Sequence, residues 1–130
     1  MTDNRPMLDH VSIGVSDLAR STAFYDAVLG SLGFVRVWSA GDASGYGTAG
    51  GDDSVAIKQE PAEHIRPSAR SHIALNAPNR EAARAFHAAA LALGGTDDGA
   101  PGLCPEYGPG YYAAFVRDPD GYRLEAVLHE

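Results

Sequence analysis

The sequence predicts an α+β protein built as two tandem βαβββ modules, whose strands form a curved mixed sheet around a cavity. Two observations carry that prediction: an internal repeat at a fixed offset, and a switch from two-residue to helical periodicity inside each copy. Shifted by 62 positions, HVSIGVSDLARSTAFYDAVLGSLGF from His10 superimposes without a gap on HIALNAPNREAARAFHAAALALGGT from His72. The same offset pairs Val11 with Ile73, Ile13 with Leu75, Asp17 with Asn79, Phe24 with Phe86, Leu29 with Leu91 and Gly33 with Gly95. Matches of this kind at one register mark a duplicated structural unit.

Each copy opens as a strand. Val11, Ile13 and Val15 alternate with His10, Ser12 and Gly14, and Ile73, Leu75 and Ala77 alternate with His72, Ala74 and Asn76. Period two sends both histidines to the side opposite the apolar series. Asp17 and Asn79 then stand where a side-chain oxygen can cap the first amides of a helix. Beyond them Leu18, Tyr25, Leu29 and Leu32 in copy one, and Ala83, Phe86, Ala90 and Leu93 in copy two, fall into helical stripes. Gly33 and Gly94-Gly95 supply helix stops. After each helix come short strands set apart by glycine-rich turns. They are expected at Phe34–Trp38, Tyr46–Thr48 and Ser54–Gln59, then in a less defined segment before Tyr111–Val116 and Tyr122–Leu128.

A chain of 130 residues with 45% hydrophobic composition fits one domain, residues 1–130, with module one at about 7–60 and module two at about 70–129. The single cysteine, Cys104, excludes an intramolecular disulfide, and Met1 to Pro6 carries no signal-peptide or membrane-spanning pattern, so the expected compartment is the cytoplasm. A net charge of −7 without a Lys/Arg cluster argues against a nucleic-acid partner.

Asp118-Pro119-Asp120-Gly121 has the chemistry of a tight turn feeding the last strand. The stretch Gly41–Gly51 lacks the strand–GxGxxG–helix context of a nucleotide site and reads as hairpin turns or a mobile loop. Among the aromatic residues, Tyr111 shares a strand face with Ala113 and Phe115, opposite Tyr112, Ala114 and Val116, so only one series can meet a ligand. His64, His87 and His129 read as surface residues, and Cys104 has no neighbouring motif histidine to activate it.

DHVSIGVSDLARSTAFYDAVLG, SHIALNAPNREAARAFH and DPDGYRLEAV together resemble the three signature segments of the vicinal-oxygen-chelate superfamily, the glyoxalase, bleomycin-resistance and extradiol-dioxygenase group. The carboxy-terminal part is similar to an uncharacterised bacterial glyoxalase-like branch. The resemblance implies the glyoxalase/bleomycin-resistance fold. It also implies a set of inward-facing ligand positions, to which His10, Ile57, His72 and Glu125 correspond here. Ile57 cannot bind metal, which departs from a four-ligand glyoxalase I. His10, His72 and Glu125 remain as a two-histidine, one-carboxylate set suited to Fe, Mn, Ni, Co or Zn. Strand parity agrees with this assignment, because Glu125 lies between Leu124 and Ala126 of the helix-facing series and so points to the other face. Trp38, Ile57 and Tyr111 are the expected substrate-binding side chains.

By resemblance, then, the chain is expected to be a divalent-metal-dependent enzyme of lyase, isomerase or dioxygenase type that chelates vicinal oxygens of a small substrate. The alternative is a metal-free small-molecule-binding protein of the bleomycin-resistance type. No general base is identifiable; Glu60, Glu106 and Tyr111 are the remaining candidates. Related chains pair their modules across subunits, so a homodimer is expected as well, and no membrane association.

Overall fold

The computed structural model describes residues 2–130, so that Met1 of the amino-terminal stretch lies outside the described residues. Module one runs β1 (Val11–Val15), α1 (Leu18–Gly30), β2 (Val35–Ser39), β3 (Ala43–Gly47) and β4 (Asp53–Gln59). Module two repeats the order as β5 (His72–Asn76), α2 (Arg80–Ala92), β6 (Thr96–Leu103), β7 (Tyr111–Arg117) and β8 (Arg123–His129). Each forms a four-stranded mixed sheet, ordered β1-β4-β3-β2 and β5-β8-β7-β6. The first and last strands of a module pair in parallel and the other pairs are antiparallel. The 62-residue repeat is thus one supersecondary unit used twice.

The helix starts lie where the capping residues place them. Asp17 accepts from the amide of Arg20 at 3.1 Å, and Asn79 accepts from that of Ala82 at 2.8 Å. From there Phe24, Tyr25, Val28 and Leu29 of α1, and Ala83, Phe86 and Ala90 of α2, are buried. They join Val15, Ile57, Val116, Leu124 and Ala126 in one continuous apolar core. Full burial of a side chain such as Phe24 or Phe86 contributes about 1.5–3 kcal/mol. The two helices pack on each other and each also covers one face of its own sheet. The modules therefore meet through their helices. On the opposite face of each sheet, Ser12, Ser54 and Lys58 in one case and His72, Ala74 and Asn76 in the other are exposed.

The Asp-Pro-Asp-Gly segment is the turn it was expected to be, and it also clasps the modules together. Asp118 is buried and accepts the hydroxyl proton of Tyr25 from α1 at 2.6 Å. Asp120 accepts from the amide of Ser16 at 3.1 Å, from the Ser16 hydroxyl and from Arg20 at 3.2 Å. Tyr122 donates to the carbonyl of Gly14 at 2.8 Å.

Two expectations need correction. In Gly41–Gly51 turns lie at the two ends, but the strand between them begins earlier than the expected Tyr46–Thr48: Ala43–Gly47 is β3, a buried inner strand between β2 and β4. The less defined strand expected after α2 is present as the eight-residue β6, whose register shifts around Gly99 and Gly102. His87 is not a free surface residue. Its side chain is only 12% exposed and its Nε2 lies 2.9 Å from Asp97, an interaction that holds the Asp97 carboxyl below the usual range.

Candidate functional site

Alternation along β8 sets the site. Leu124 and Ala126 are buried towards α2, so Arg123 and Glu125 belong to the face that no helix covers. Next to β8 runs β5, in register His72↔Arg123 and Ala74↔Glu125. On the other side β7 pairs Phe115 with Glu125 and Tyr111 with His129. His72, Glu125 and Tyr111 thereby come together from three adjacent strands. His72 Nε2 lies 3.0 Å from Glu125 Oε1, and the Tyr111 hydroxyl donates to Oε2. Glu125 is only 2% exposed. A buried carboxylate of this kind requires partners for both oxygens. The hydrogen bond to Glu125, together with burial, pushes the Tyr111 phenol up to about 12, so it remains a proton donor at neutral pH.

Around this cluster is a cleft of about 380 Å³, bordered also by Arg70, Tyr107, Phe115 and Arg123. Tyr107 stacks obliquely on Tyr111 with centroids 5.2 Å apart, and His129 meets Tyr111 edge-on at 5.0 Å. Cys104 contacts the carbonyl of Gly102, and burial pushes its thiol up, away from the thiolate a nucleophile needs.

The sequence-predicted residues divide between the modules. His72, Glu125 and Tyr111 share the cleft. His10 does not border it; its ring is exposed and its Nδ1 lies 2.6 Å from Asp9. Among the described residues no three His, Cys, Asp or Glu side chains are grouped closely enough to hold a metal ion. His10 immediately precedes β1, and convergence with Glu125 inside one chain does not follow. The modules join through their helices, so their uncovered faces do not confront each other.

Ile57 needs a firmer correction. It pairs with Ile13 in register and is fully buried in the core, on the helix-facing side rather than in a cavity. The counterpart of Glu125 is Ala56: Ser12 faces Ala56 in module one as Ala74 faces Glu125 in module two, and Ser12 and Ala74 are the repeat-matched pair.

Extending those rows across the sheets gives Trp38–Gly45–Ala56–Ser12 and Gly99–Phe115–Glu125–Ala74. In each row an aromatic ring lies against a glycine on the neighbouring strand. A Cβ on Gly45 would fall 2.1 Å from the indole nitrogen of Trp38, and one on Gly99 would fall 2.8 Å from the ring of Phe115. Trp38 is 37% exposed and borders a depression along β2, not the cleft of Tyr111. Arg70, Arg123 and Phe115 were not foreseen as cleft residues. For Arg123 and Phe115 the signal was available, since they share strand parity with Glu125 and Tyr111.

As a donor set, His72 and Glu125 offer one nitrogen and one oxygen on a common face. Their 3.0 Å separation is that of two ligands at right angles about an ion with bonds of about 2.1 Å. Tyr111 holds the second carboxylate oxygen, as partners of metal-ligating carboxylates do. The pair fits part of a divalent-metal shell, and one chain supplies no third protein ligand of the His, Cys, Asp or Glu type among the described residues.

With this fold and this His–Glu pair, the chain belongs to the Glyoxalase/Bleomycin resistance protein/Dioxygenase superfamily, whose family model matches residues 7–126. It is similar, at 34% identity and a TM-score of 0.81, to a glyoxalase/bleomycin resistance protein from Albidiferax ferrireducens T118, over 94% of this chain and 98% of that one. The fold is shared with a glyoxalase/bleomycin resistance protein/dioxygenase family enzyme from Burkholderia phytofirmans PsJN, at 20% identity and TM-score 0.70, covering 93% and 97% of the two chains. It is shared too with the fosfomycin resistance protein FosX from Listeria monocytogenes, at 18% identity and TM-score 0.68, covering 95% and 93%. No curated protein matched the chain. Among the described residues no helix is long and apolar enough to cross a membrane.

Proposed function

We propose that the chain is one subunit of a homodimeric, divalent-metal-dependent enzyme of lyase, isomerase or dioxygenase type that binds adjacent oxygens of a small substrate. The observation that carries this reading is the buried Glu125 carboxylate, held between His72 and Tyr111 at the floor of an open cleft. His72 and Glu125 of one copy and His10 of a second copy would hold Fe, Mn, Ni, Co or Zn. The exposure of His10 at the start of β1 supports a role across subunits. When bound, the ion supplies Lewis-acid stabilisation of negative charge developing on a substrate oxygen.

The chain's own residues do the rest. Tyr111 fixes the orientation of Glu125 and keeps its proton, while Phe115 and Tyr107 give the cleft apolar walls that limit water. On module one the uncovered face carries the small residues Ser12 and Ala56, while the Trp38 ring lies on Gly45 and the Glu60 side chain on Gly14.

Elemental mass spectrometry of protein purified without a histidine tag tests this reading, beside His10→Ala, His72→Ala and Glu125→Ala. The expected result is near-stoichiometric metal in the parent and loss in all three variants. Protein that stays metal-free after reconstitution with each divalent ion overturns the enzyme reading. One observation favours a metal-free binding protein of the bleomycin-resistance type instead: both oxygens of Glu125 already have protein partners. In that case His10→Ala leaves ligand affinity intact.

A further inference from the structure

We infer that the uncovered face of module two carries an oxyanion-binding site, formed by Arg70 and Arg123 beside the His72–Glu125 pair and backed by Arg117 next to Arg123, which takes an organic anion with a flat apolar body. The inference rests on the proposed function only in treating this cleft as the substrate site.

The first observation is a like-charge pair. Arg117 and Arg123 are direct cross-strand partners in the β7–β8 register. Cationic side chains facing each other across a ladder repel, and here Arg123 also donates to the carbonyl of Ala69 and Arg117 to that of Gly121. One carboxylate serves both: Asp98 Oδ2 lies 2.8 Å from Arg123 Nε, and its Oδ1 lies 3.8 Å from Arg117 Nε. Two guanidinium groups thus share one anion. A third cation stands alongside. Arg70 borders the cleft and, among the described residues, its guanidinium makes no ion pair or hydrogen bond. Three guanidinium groups beside the carboxylates of Asp98 and Glu125 leave one formal positive charge in excess, in a chain of net charge −7.

Position gives the excess a use. Arg123 is two residues from Glu125 on the same strand face and directly opposite His72, and both arginines of the pair are partly exposed. Guanidinium groups bind carboxylates and phosphoryl oxygens in a planar, two-pronged way. Phe115 and the exposed ring of Tyr107 border the same cleft and offer flat apolar surface to the rest of the ligand. The class of ligand is therefore an aromatic or similarly flat carboxylate or phosphonate.

Calorimetric titration of chelator-stripped protein with benzoate, phenylphosphonate and neutral benzamide tests this inference. The expected result is saturable binding of at least one anion and none of benzamide, with affinity weakened by rising salt and about tenfold or more by Arg70→Ala. Arg70 is exposed and unpartnered among the described residues, so this variant should fold as the parent does. Whichever anion binds more tightly assigns the ligand as carboxylate or phosphonate. Benzamide binding as well as the anions, no binding of either anion, or affinity unmoved in both Arg70→Ala and Arg123→Lys would each overturn the inference. Because the protein is stripped of metal, failure here leaves the metal reading untouched, and a metal-free result in the elemental analysis leaves this site untouched.

Discussion

Asp118 shows how much of the join between modules depends on single side chains. Its carboxylate accepts from the Tyr25 hydroxyl at 2.6 Å and from the amides of Asp120 and Tyr122 at 2.9 Å each. Burial nevertheless outweighs these bonds and raises its pKa above the ordinary carboxylate value. The folded state thus holds this proton more tightly than the unfolded chain. The associated stability is fully present below the unfolded pKa, near 3.9, and is lost as pH rises through the raised native value. Asp118→Asn keeps an acceptor for the two amides but no longer titrates. Denaturant midpoints measured from about pH 4 to 7 should therefore fall less with rising pH in the variant than in the parent. Parallel slopes would exclude Asp118 as their source. Tyr25→Phe, which leaves a carboxylate oxygen unpartnered, should cost about 1–3 kcal/mol at neutral pH. At this scale the sequence was legible where one strand's alternation decides an outcome, as it does for His72 and Glu125. It was silent on the bond from Tyr111 to Glu125, which depends on the register between β7 and β8.

Among the elements, the two strands least legible in the sequence are those that make room for aromatic rings. In β3, Ala-Ser-Gly-Tyr-Gly has none of the β-branched residues by which strands are read, and Gly45 must lack a side chain because Trp38 lies upon it. In β6, Gly99 makes the same space for Phe115, and the register shifts there break the two-residue alternation. Small residues under aromatic rings thus erased the local signal while the pairing of neighbouring strands kept the strand. The ligand position that the resemblance implied for Ile57 is held by Ala56, one residue and hence one sheet face away. Gly45→Ala should displace the indole and destabilise the protein by about 1–3 kcal/mol. Trp38 is the only tryptophan, so intrinsic emission reports its movement directly. A red shift is expected in Gly45→Ala and none in Gly99→Ala, where Phe115 moves instead. An unchanged spectrum in Gly45→Ala would show that the ring does not depend on that glycine.

At the scale of the whole molecule, the repeat disclosed both modules and their internal order but not how they meet. A helix stripe shows which face is buried without showing whether the second layer over it is a sheet, another helix or both. Here each helix packs on its own sheet and on the other helix, and the Asp118–Asp120 turn fixes that arrangement. The consequence for the site is geometric. His10 lies at the start of β1 in module one and His72 with Glu125 on the uncovered face of module two, so a three-ligand site needs His10 from a second copy. In a symmetric dimer each site would take His10 from one chain and His72 with Glu125 from its partner. His10→Ala alone and Glu125→Ala alone then spoil both sites of a dimer. A mixed dimer of the two variants collects both substitutions in one site and leaves the other intact. Unfolding and refolding the two variants together at equal amounts should make about half of the dimers mixed and return about a quarter of the parental metal content, from two proteins that bind none separately. Recovery of that fraction would establish the shared site, whereas a refolded mixture as metal-free as its components, with the dimer itself verified by sedimentation, would mean that His10 and Glu125 do not act on one ion.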